Sequence, residues 1–591
     1  MNFLERIVEQ LQSETNAPVL REIYAAAPAA PGAAAATEAP AASVPTTKSV
    51  TGEEFLALIR QARKFIETAG LKKGERAAVL APNSIQWAAI DLALMSKGIL
   101  VVPLYSRQAP SELAAMVRDS QPAIIFASDA ALRDNLAKAL PNTLIHATLL
   151  DEALAATAPA AASAVGTNAE ILADLKTLAD DDPVTVIYTS GTSGESKGVV
   201  LNVANLNHMV PCINTRLDQL MNLRTGAHAA TTDAAPDQIF HYLPFCFAGS
   251  WILLITALSR RSVLSLSTDL TRLPDEIKIA APHYFLNVPT LLDRIRTRIE
   301  DQIRQKGGFI ARLFALATAA FARRANHRAT PVDSLYLSLA NLLMFKKICG
   351  AVGPNLRALI CGSAPLAPET QQFFQMLGIP ILQVYGLTET TAICTLDDPA
   401  KVTTGCVGPA IPGVEMKVSD DNEILVRGPN IFPGYWNRPD ATAQVFQDGW
   451  FRTGDQGEKS VDGNWRVTGR VKNLVILNSG HNVAPEPLEE DLRRRLPNAD
   501  QVLIVGNNRS FLVAIFSSAA AGGLSVSAIE AALAAANASL PHYKQIRAFF
   551  IASEPFSPEN GLLTANGKLK RAAIADHFAP RIEELYQKKS A

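Results

Sequence analysis

The strongest local signal in this chain lies at residues 188–198, Tyr188-Thr-Ser-Gly-Thr-Ser-Gly-Glu-Ser-Lys197-Gly198. The segment follows residues 184–187, whose apolar composition predicts a buried strand. Glycine and hydroxyl residues let backbone amides and side chains close around phosphate oxygens, and the lysine adds positive charge. Most runs of Ser and Gly are instead solvated turns, and the Walker pattern does not fit here. The preceding strand and the terminal Lys-Gly favour phosphate binding over a plain turn.

Outward from this loop, short apolar stretches alternate with helical patterns. Strands are predicted at 76–80, 99–103, 124–126, 144–150, 262–266, 358–361 and 381–385, with a helix at 85–97. This alternation predicts an α/β fold with mixed or parallel sheets and packed helices. From about residue 414, short strands with Gly-rich turns indicate a small β-subdomain. Beyond Arg470, strands at 474–477, 502–505 and 511–516 and helices at 486–496 and 526–538 predict a small α+β domain.

The length of 591 residues predicts at least two domains. We expect an N-terminal helix and Ala/Pro-rich linker at 1–50 and a large N-terminal domain at 51–469. A small C-terminal domain at 473–591 completes the division. Residues 25–47 have too little bulky apolar surface to offset the cost of ordering, which predicts a linker or long loop, and residues 155–164 are similar.

Composition excludes several classes of protein. The net charge of −1 gives no global attraction for nucleic acid, so we expect no nucleic-acid partner. Six cysteines without a C-x-x-C pair argue against a disulfide framework or a zinc ribbon. The N-terminal residues lack the pattern of an export signal, and no uninterrupted apolar run reaches the length of a membrane span. We therefore expect a cytoplasmic protein without a membrane-spanning helix.

Six motifs, in order along the chain, resemble those of the adenylate-forming enzymes, which include acyl-CoA synthetases, peptide-synthetase adenylation domains and luciferases. They are YTSGTSGESKG (188–198), GSAP (362–365), VYGLTET (384–390), GWFRTGD (449–455), VTGRVK (467–472) and NGK (566–568). Residues 75–105 also resemble the early region of these enzymes. The resemblance covers nearly the whole chain after the first fifty residues, and the order of the motifs makes chance similarity untenable.

The resemblance implies a role for each motif. The groups holding the ATP phosphates would be Thr189, Ser190, Gly191, Thr192, Ser193, Gly194 and Lys197. The adenine and ribose would be bound by Gly362, Ser363, Ala364, Tyr385, Gly386, Asp455 and Arg470. Thr388 would sit beside the α-phosphate, and Glu389 would hold Mg²⁺, whose preferred ligands are oxygens.

The implied reaction joins a carboxylate to ATP, giving acyl-AMP and pyrophosphate, before transfer to coenzyme A. Two anions must meet, so positive charge and preorganised donors should carry the catalysis. Lys568 would bridge the carboxylate and the α-phosphate. The resemblance also implies a hinge at 470–472, with Lys472 as the pivot about which the small C-terminal domain is mobile. Gly480 would line the pantetheine tunnel after rotation.

Three stretches resemble long-chain fatty acyl-CoA synthetases in particular: residues 345–375, residues 470–489 and an insertion at about 294–343. The insertion has many arginines around an apolar stretch at 309–321. This pattern predicts a peripheral membrane face, or equally an amphipathic helix that covers the core. A motif that often ends in histidine ends here in Phe247, and we expect Phe247 and Trp251 to line the acyl pocket.

Two alternatives to a fatty acid:CoA ligase stay open on these residues. An acyl-AMP ligase that loads an acyl or peptidyl carrier protein would share the first half-reaction. A non-catalytic acyl-lipid-binding relative is disfavoured, because Lys197, Glu389, Asp455, Arg470 and Lys568 are all present. The expected location is the cytoplasm, or the inner face of the membrane if the insertion is a peripheral contact.

Overall fold

The computed structural model describes residues 1–24, 46–141, 146–155, 166–190, 196–222, 235–325, 328–519, 523–538, 540–564 and 567–590. Nearly all of the predicted Ala/Pro linker and of the second Ala-rich stretch lies outside these residues. The same holds for Gly191, Thr192, Ser193 and Gly194 of the phosphate loop.

The strands occupy short, mostly apolar stretches. In chain order they are β1 (Pro18–Tyr24), β2 (Thr46–Thr51), β3 (Arg76–Leu80), β4 (Leu100–Leu104), β5 (Ile124–Ala127), β6 (Ala147–Leu149), β7 (Pro183–Ser190), β8 (Ser196–Asn202), β9 (Asp237–His241), β10 (Ser262–Ser267), β11 (Tyr284–Asn287), β12 (Ala358–Cys361), β13 (Ile381–Tyr385), β14 (Thr395–Leu396), β15 (Glu415–Val418), β16 (Glu423–Arg427), β17 (Gly434–Tyr435), β18 (Phe446–Gln447), β19 (Trp450–Lys459), β20 (Trp465–Arg470), β21 (Val475–Ile476), β22 (Asn482–Val483), β23 (Gln501–Val505), β24 (Leu512–Ser517) and β25 (Ile546–Ile551).

The helices alternate with these strands through the large domain. They are α1 (Phe3–Ser13), α2 (Gly52–Thr68), α3 (Ile85–Ser96), α4 (Pro110–Ser120), α5 (Ala130–Ala139), α6 (Leu150–Ala155), α7 (Asn168–Leu175), α8 (Val203–Asn222), α9 (Ala248–Leu258), α10 (Leu273–Ala280), α11 (Pro289–Lys306), α12 (Gly308–Ala325), α13 (Pro331–Ala340), α14 (Lys346–Val352), α15 (Pro368–Met376), α16 (Pro439–Val445), α17 (Glu486–Arg495), α18 (Val526–Asn537), α19 (Arg571–His577) and α20 (Ala579–Ser590).

Two large sheets form the body of the molecule. One has the order β17-β8-β7-β4-β3-β5-β6, and the other has the order β14-β13-β12-β11-β9-β10-β1-β2. The eight-stranded sheet has a parallel centre and an antiparallel pair at each edge. The seven-stranded sheet is parallel from β7 to β6 and antiparallel only among β7, β8 and β17. Helices α3 and α9 are buried on nearly every side and join both sheets in one hydrophobic cluster. The predicted α/β fold with mixed and parallel sheets is confirmed.

The N-terminal segment is part of this body. Asn2 caps α1, and Phe3, Leu4, Ile7 and Val8 are buried on the stripe that the sequence predicts. Strand β1 then pairs in parallel with β10 and antiparallel with β2. The large domain therefore begins before the predicted boundary at residue 51, because β1 belongs to its eight-stranded sheet.

Beyond the two large sheets lie the smaller units. Strands β15, β16, β19, β18 and β20 form the five-stranded sheet of the β-subdomain. The C-terminal domain has a three-stranded sheet, β23-β24-β25, with its own hydrophobic clusters. Among the described residues, two ion pairs join it to the large domain: Arg494 with Glu369, and Lys570 with Glu112 at 3.8 Å.

Helices α11 to α14 form a helical insertion between β11 and β12. A π-helical turn, Asn341–Phe345, makes α13 and α14 continuous over Pro331–Val352. This stretch is long and apolar enough by length and composition to cross a membrane, with a mean hydropathy of 1.4 and only 17% of its most apolar window buried. We expected no helix of this length and composition, because no uninterrupted apolar run is long enough. Polar residues interrupt the apolar run in this helix, but its mean hydropathy stays high.

Candidate active site

The site begins where two neighbouring parallel strands end. β12 and β13 pair with Cys361 beside Gln383, so the loops that follow them emerge at the same edge of the sheet. After β12, a Cβ atom on Gly362 would lie 2.5 Å from Val384 Cγ2, which only glycine avoids. Ser363 has the left-handed φ of 71°. The two loops therefore pack closely and line one cleft of about 4080 Å³.

The predicted adenine and ribose residues meet in this cleft. Tyr385, at the end of β13, donates a hydrogen bond from its hydroxyl to Asp455 Oδ2 at 3.0 Å. Asp455 lies opposite Arg470 in the β19–β20 pair, and Arg470 Nε is 3.0 Å from Asp455 Oδ1. Burial raises the pKa of Asp455, and the Arg470 guanidinium opposes that rise. Gly386 and Ala364 line the same cleft, so the structure brings these predicted residues together.

The predicted metal ligand is held by a residue that the sequence motifs did not single out. Tyr435 donates a hydrogen bond to Glu389 Oε1 at 2.8 Å, and Lys197 Nζ lies 5.0 Å from the centre of the Tyr435 ring. Desolvation raises the pKa of Glu389 and also that of Tyr435. Tyr435 pairs with Val199 through β17 and β8, and this pairing brings the YGLTET loop and the phosphate hairpin together.

The phosphate loop joins two antiparallel strands. β7 and β8 pair Thr189 with Lys197, so the loop is the turn of a hairpin, whereas a Walker loop leads into a helix. Thr189, Lys197 and Thr388 line the cleft. Ser190 ends β7, and its side chain is outside the described part of the chain. The roles of Ser190 and of 191–194 stay predictions.

The C-terminal domain places Lys568 at the cleft. Lys568 is an exposed residue that follows Gly567, and it lines the cleft and interacts electrostatically with Asp455 and Arg470. Desolvation of the ammonium and then the Arg470 charge lower the pKa of Lys568, and Asp455 opposes them. The structure thus holds the predicted catalytic lysine on the ribose side of the site.

The two residues predicted to line the acyl pocket lie in different surroundings. Phe247 precedes α9 and lines the cleft, with its ring 5.7 Å from that of Tyr105. Trp251 is fully buried in the core, where its Nε1 donates to Asp91 Oδ2 at 2.9 Å. The assignment of Trp251 to the acyl pocket is therefore corrected, because one turn of α9 separates it from Phe247 and directs its indole toward α3. Leu243 and Ile252 line the cleft instead.

The predicted hinge and tunnel residues lie at the junction. Lys472 is in the single 3₁₀ turn Val471–Asn473, which follows β20 and precedes the C-terminal domain. Gly480 is exposed in the turn between β21 and β22, with a φ of 79°, and the described lining of the cleft does not include it. A tunnel role for Gly480 needs a rotation about the junction, and it stays a prediction.

A cleft lined by paired strand ends, a hydroxyl-rich hairpin and a lysine from a second domain defines an adenylate-forming enzyme. The sequence model of the family described as AMP-binding enzyme matches residues 26–436, and that of the AMP-binding enzyme C-terminal domain matches residues 472–590. This protein belongs to the AMP-binding enzyme family.

Curated relatives match over most of their length. The chain is 30% identical to the long-chain-fatty-acid–CoA ligase FadD15 of Mycobacterium bovis over 581 residues, which cover 91% of this chain and 92% of the relative. It is 25% identical to long chain acyl-CoA synthetase 4 of Arabidopsis thaliana, covering 91% of this chain and 86% of the relative.

Solved structures share the fold. The ATP-bound MatB of Rhodopseudomonas palustris has a TM-score of 0.69 at 21% identity and covers 98% of this chain and 99% of its own. The A domain of carboxylic acid reductase from Segniliparus rugosus has a TM-score of 0.71 at 22% identity, covering 100% and 94%. The resemblance to adenylate-forming enzymes is confirmed.

Proposed function

We propose that this protein activates a long-chain fatty acid with ATP and transfers the acyl group to coenzyme A. The observation that carries the proposal is Lys568 facing Asp455 and Arg470 in the cleft. In this arrangement the C-terminal domain supplies a cation where a carboxylate and the α-phosphate must meet. The identity to long-chain-fatty-acid–CoA ligases supports the acid and the acceptor.

In the first step, a carboxylate oxygen of the acid attacks the α-phosphorus of ATP. The bond from that phosphorus to the bridging oxygen breaks, and its electron pair leaves with pyrophosphate. Lys568 stabilises the charge that develops between the two anions, and Arg470 holds Asp455 ready to accept bonds from the ribose hydroxyls. Each of these groups is in place before the substrates react.

In the second step, the thiol sulfur of coenzyme A attacks the acyl carbonyl of acyl-AMP. The thioester bond forms, AMP leaves, and the thiol proton passes to solvent. No second anion has to approach the α-phosphate at this step, so a rotation about Lys472 that withdraws Lys568 would free space for the thiol. Gly480 would then approach the site, and its positive φ would let the turn lie close to the pantetheine.

The residues present fit a magnesium ion. Within the described residues, no group of three or more His, Cys, Asp and Glu side chains forms a metal site. Glu389 is a single carboxylate whose pKa is raised by desolvation, an effect that the Tyr435 hydroxyl and the Arg470 charge oppose. Mg²⁺ is commonly held by one or two carboxylates with phosphate oxygens and water. Bound at Glu389, it would neutralise phosphate charge.

The test is AMP release from ATP with a series of saturated fatty acids, with and without coenzyme A. We expect turnover that requires both the acid and coenzyme A and is greatest for long chains. Acid-dependent pyrophosphate exchange without stimulation of turnover by coenzyme A would indicate that the acyl acceptor is a carrier protein instead. Absence of acid-dependent exchange and of AMP release with every acid would contradict the proposal.

A further inference from the structure

The helical insertion differs in charge from the rest of the chain. Residues 289–352 contain eleven Lys or Arg and four Asp or Glu residues, a net charge of +7 in a chain whose net charge is −1. In the described part of the insertion, its ion pairs involve Arg296, Arg304 and Arg323. Arg312, Lys346 and Lys347 are exposed and take part in none of these pairs. The insertion is therefore a concentrated cationic surface.

The same insertion exposes large apolar side chains. Leu335 is 64% exposed and Leu342 is 68% exposed. Their separation of seven positions places both on one side of the helix, with Lys346 one turn further on. Phe309, on the neighbouring helix α12, is 63% exposed. We name Phe309, Leu335, Leu342, Lys346 and Lys347 the outer face.

The inner side of these helices is already occupied. Ala340, Met344 and Phe345 are buried in the second core cluster, and Leu313 of α12 joins them. The ring of Phe314 lies 6.2 Å from that of Phe373 on α15. Because the inner side supplies the packing that holds the insertion, the outer face is free of that structural task. Among the described residues, Phe309, Leu335 and Leu342 belong to neither large core cluster. Exposed apolar side chains grouped on one surface mark binding sites.

The insertion also borders the active-site cleft. Thr290, Arg294 and Thr297 of α11 line the same cleft as Phe247 and Lys568. Any surface that binds the insertion would therefore lie close to one wall of the cleft. This placement matters because the substrate of the proposed reaction is a long-chain acid that partitions into lipid.

We propose that the outer face docks on an anionic lipid bilayer, with Pro331–Val352 lying in the plane of the interface. Apolar side chains enter the acyl boundary, and Lys346 and Lys347 meet the anionic headgroups, as amphipathic cationic helices do. A second copy of this chain is disfavoured as the occupant, because two surfaces of net charge +7 would repel each other. The inference extends the proposed function by stating where the acid is collected.

The experiment is co-sedimentation of the full chain with vesicles of phosphatidylcholine alone or mixed with phosphatidylglycerol, without ATP or fatty acid. We expect binding to the mixed vesicles that weakens as salt rises. Lys346→Glu with Lys347→Glu should weaken it by at least about 25-fold, since each lysine near the surface contributes about fivefold. Leu335→Gln with Leu342→Gln should weaken it by about 100-fold.

Val461→Gln is the matched control, because Val461 is a fully exposed apolar residue in the turn before β20, and it should leave binding unchanged. Thermal unfolding shows whether each variant folds. Equal binding to both kinds of vesicle, or no effect of either double variant, would overturn the proposal. Self-association of the wild type that Leu335→Gln abolishes would replace the bilayer with a second copy. Because no turnover is needed, these outcomes are separate from failure of the ligase reaction.

Discussion

The active-site cleft buries charged side chains, whereas the helical insertion exposes apolar ones. The cleft removes the carboxylate of Asp455 from solvent, with 5% of the residue exposed, and desolvates Glu389 and Lys568. The insertion leaves Leu335 and Leu342 in contact with solvent. Both arrangements cost free energy in the isolated protein.

The two regions offset this cost in free energy in different ways. In the cleft, Arg470 and the Tyr385 hydroxyl contact Asp455. The Tyr435 hydroxyl contacts Glu389, so both carboxylates are held in position before a substrate binds. On the insertion, the unburied surface would be covered by a partner outside the chain. Arrangements that destabilise the isolated protein thus identify where it binds other molecules.

The largest expected effect is in the cleft. Lys568→Ala should lower the rate of overall ligation by roughly 10²–10³-fold, because it removes one preorganised charge from the transition state. Lys544→Ala is the control, since Lys544 lies on the same domain beside Tyr543. The lowered pKa of Lys568 also predicts that adenylation declines with rising pH below the ordinary lysine value of 10.5. If Lys568→Arg retains activity, it should move that decline to higher pH, because its guanidinium stays charged.

The two sides of the insertion should respond differently to truncation. Leu292→Ala should lower the free energy of unfolding by about 3 kcal/mol, because Leu292 is fully buried in the core. Leu335→Ala should change it by less than about 0.5 kcal/mol. Denaturant unfolding of both variants measures this difference. Similar losses in the two would show that the outer face belongs to the core.

The carboxyl group of Asp91 is also buried, but it lies outside the cleft. Burial raises the pKa of Asp91 to about 7, while its Oδ2 accepts the Trp251 bond. Its contribution to stability is present below the unfolded pKa near 3.8 and is lost as pH rises through about 7. Between pH 5 and 8, the wild type should therefore lose about 2–3 kcal/mol relative to Asp91→Asn. Parallel pH profiles of unfolding for the two proteins would contradict this expectation.

The smallest expected effect concerns the contact between domains. Arg494 pairs with Glu369 across the junction while Lys568 faces the cleft. Arg494→Gln should alter the adenylation rate by no more than about fivefold, because exposed pairs contribute at most about 1 kcal/mol. Arg547→Gln, on the same domain, is its control. A loss as large as that of Lys568→Ala would mean that this pair holds the lysine in place.

The sequence predicted those parts of the fold that depend on local pattern. Strands at 76–80, 358–361 and 381–385 have the predicted bounds, because their apolar runs end at turn residues. β1 was missed, since Glu22 and Arg21 interrupt its apolar pattern and its partner β10 is distant in sequence. Glu22 instead accepts a bond from the Ile85 amide at 2.7 Å, a contact made only in the folded chain.

The site was predictable to the extent that its residues lie in ordered motifs. Asp455, Arg470 and Lys568 fall in such motifs, and the structure brings them together. Tyr435 was missed because its contact with Glu389 depends on pairing between β17 and β8; the Gly-Tyr-Trp segment at 434–436, following a turn, was the available signal. Trp251 was misplaced because a helical side chain's direction depends on the packing of its helix.

The most direct test measures the two half-reactions separately in the wild type and in Lys568→Ala. The first is acid-dependent exchange of pyrophosphate into ATP, and the second is conversion of a preformed long-chain acyl-AMP to acyl-CoA. We predict that the variant loses the exchange by roughly 10²–10³-fold and retains the transfer, because Lys568 acts where the carboxylate and the α-phosphate meet. Equal loss of both reactions, or undiminished exchange, would contradict it.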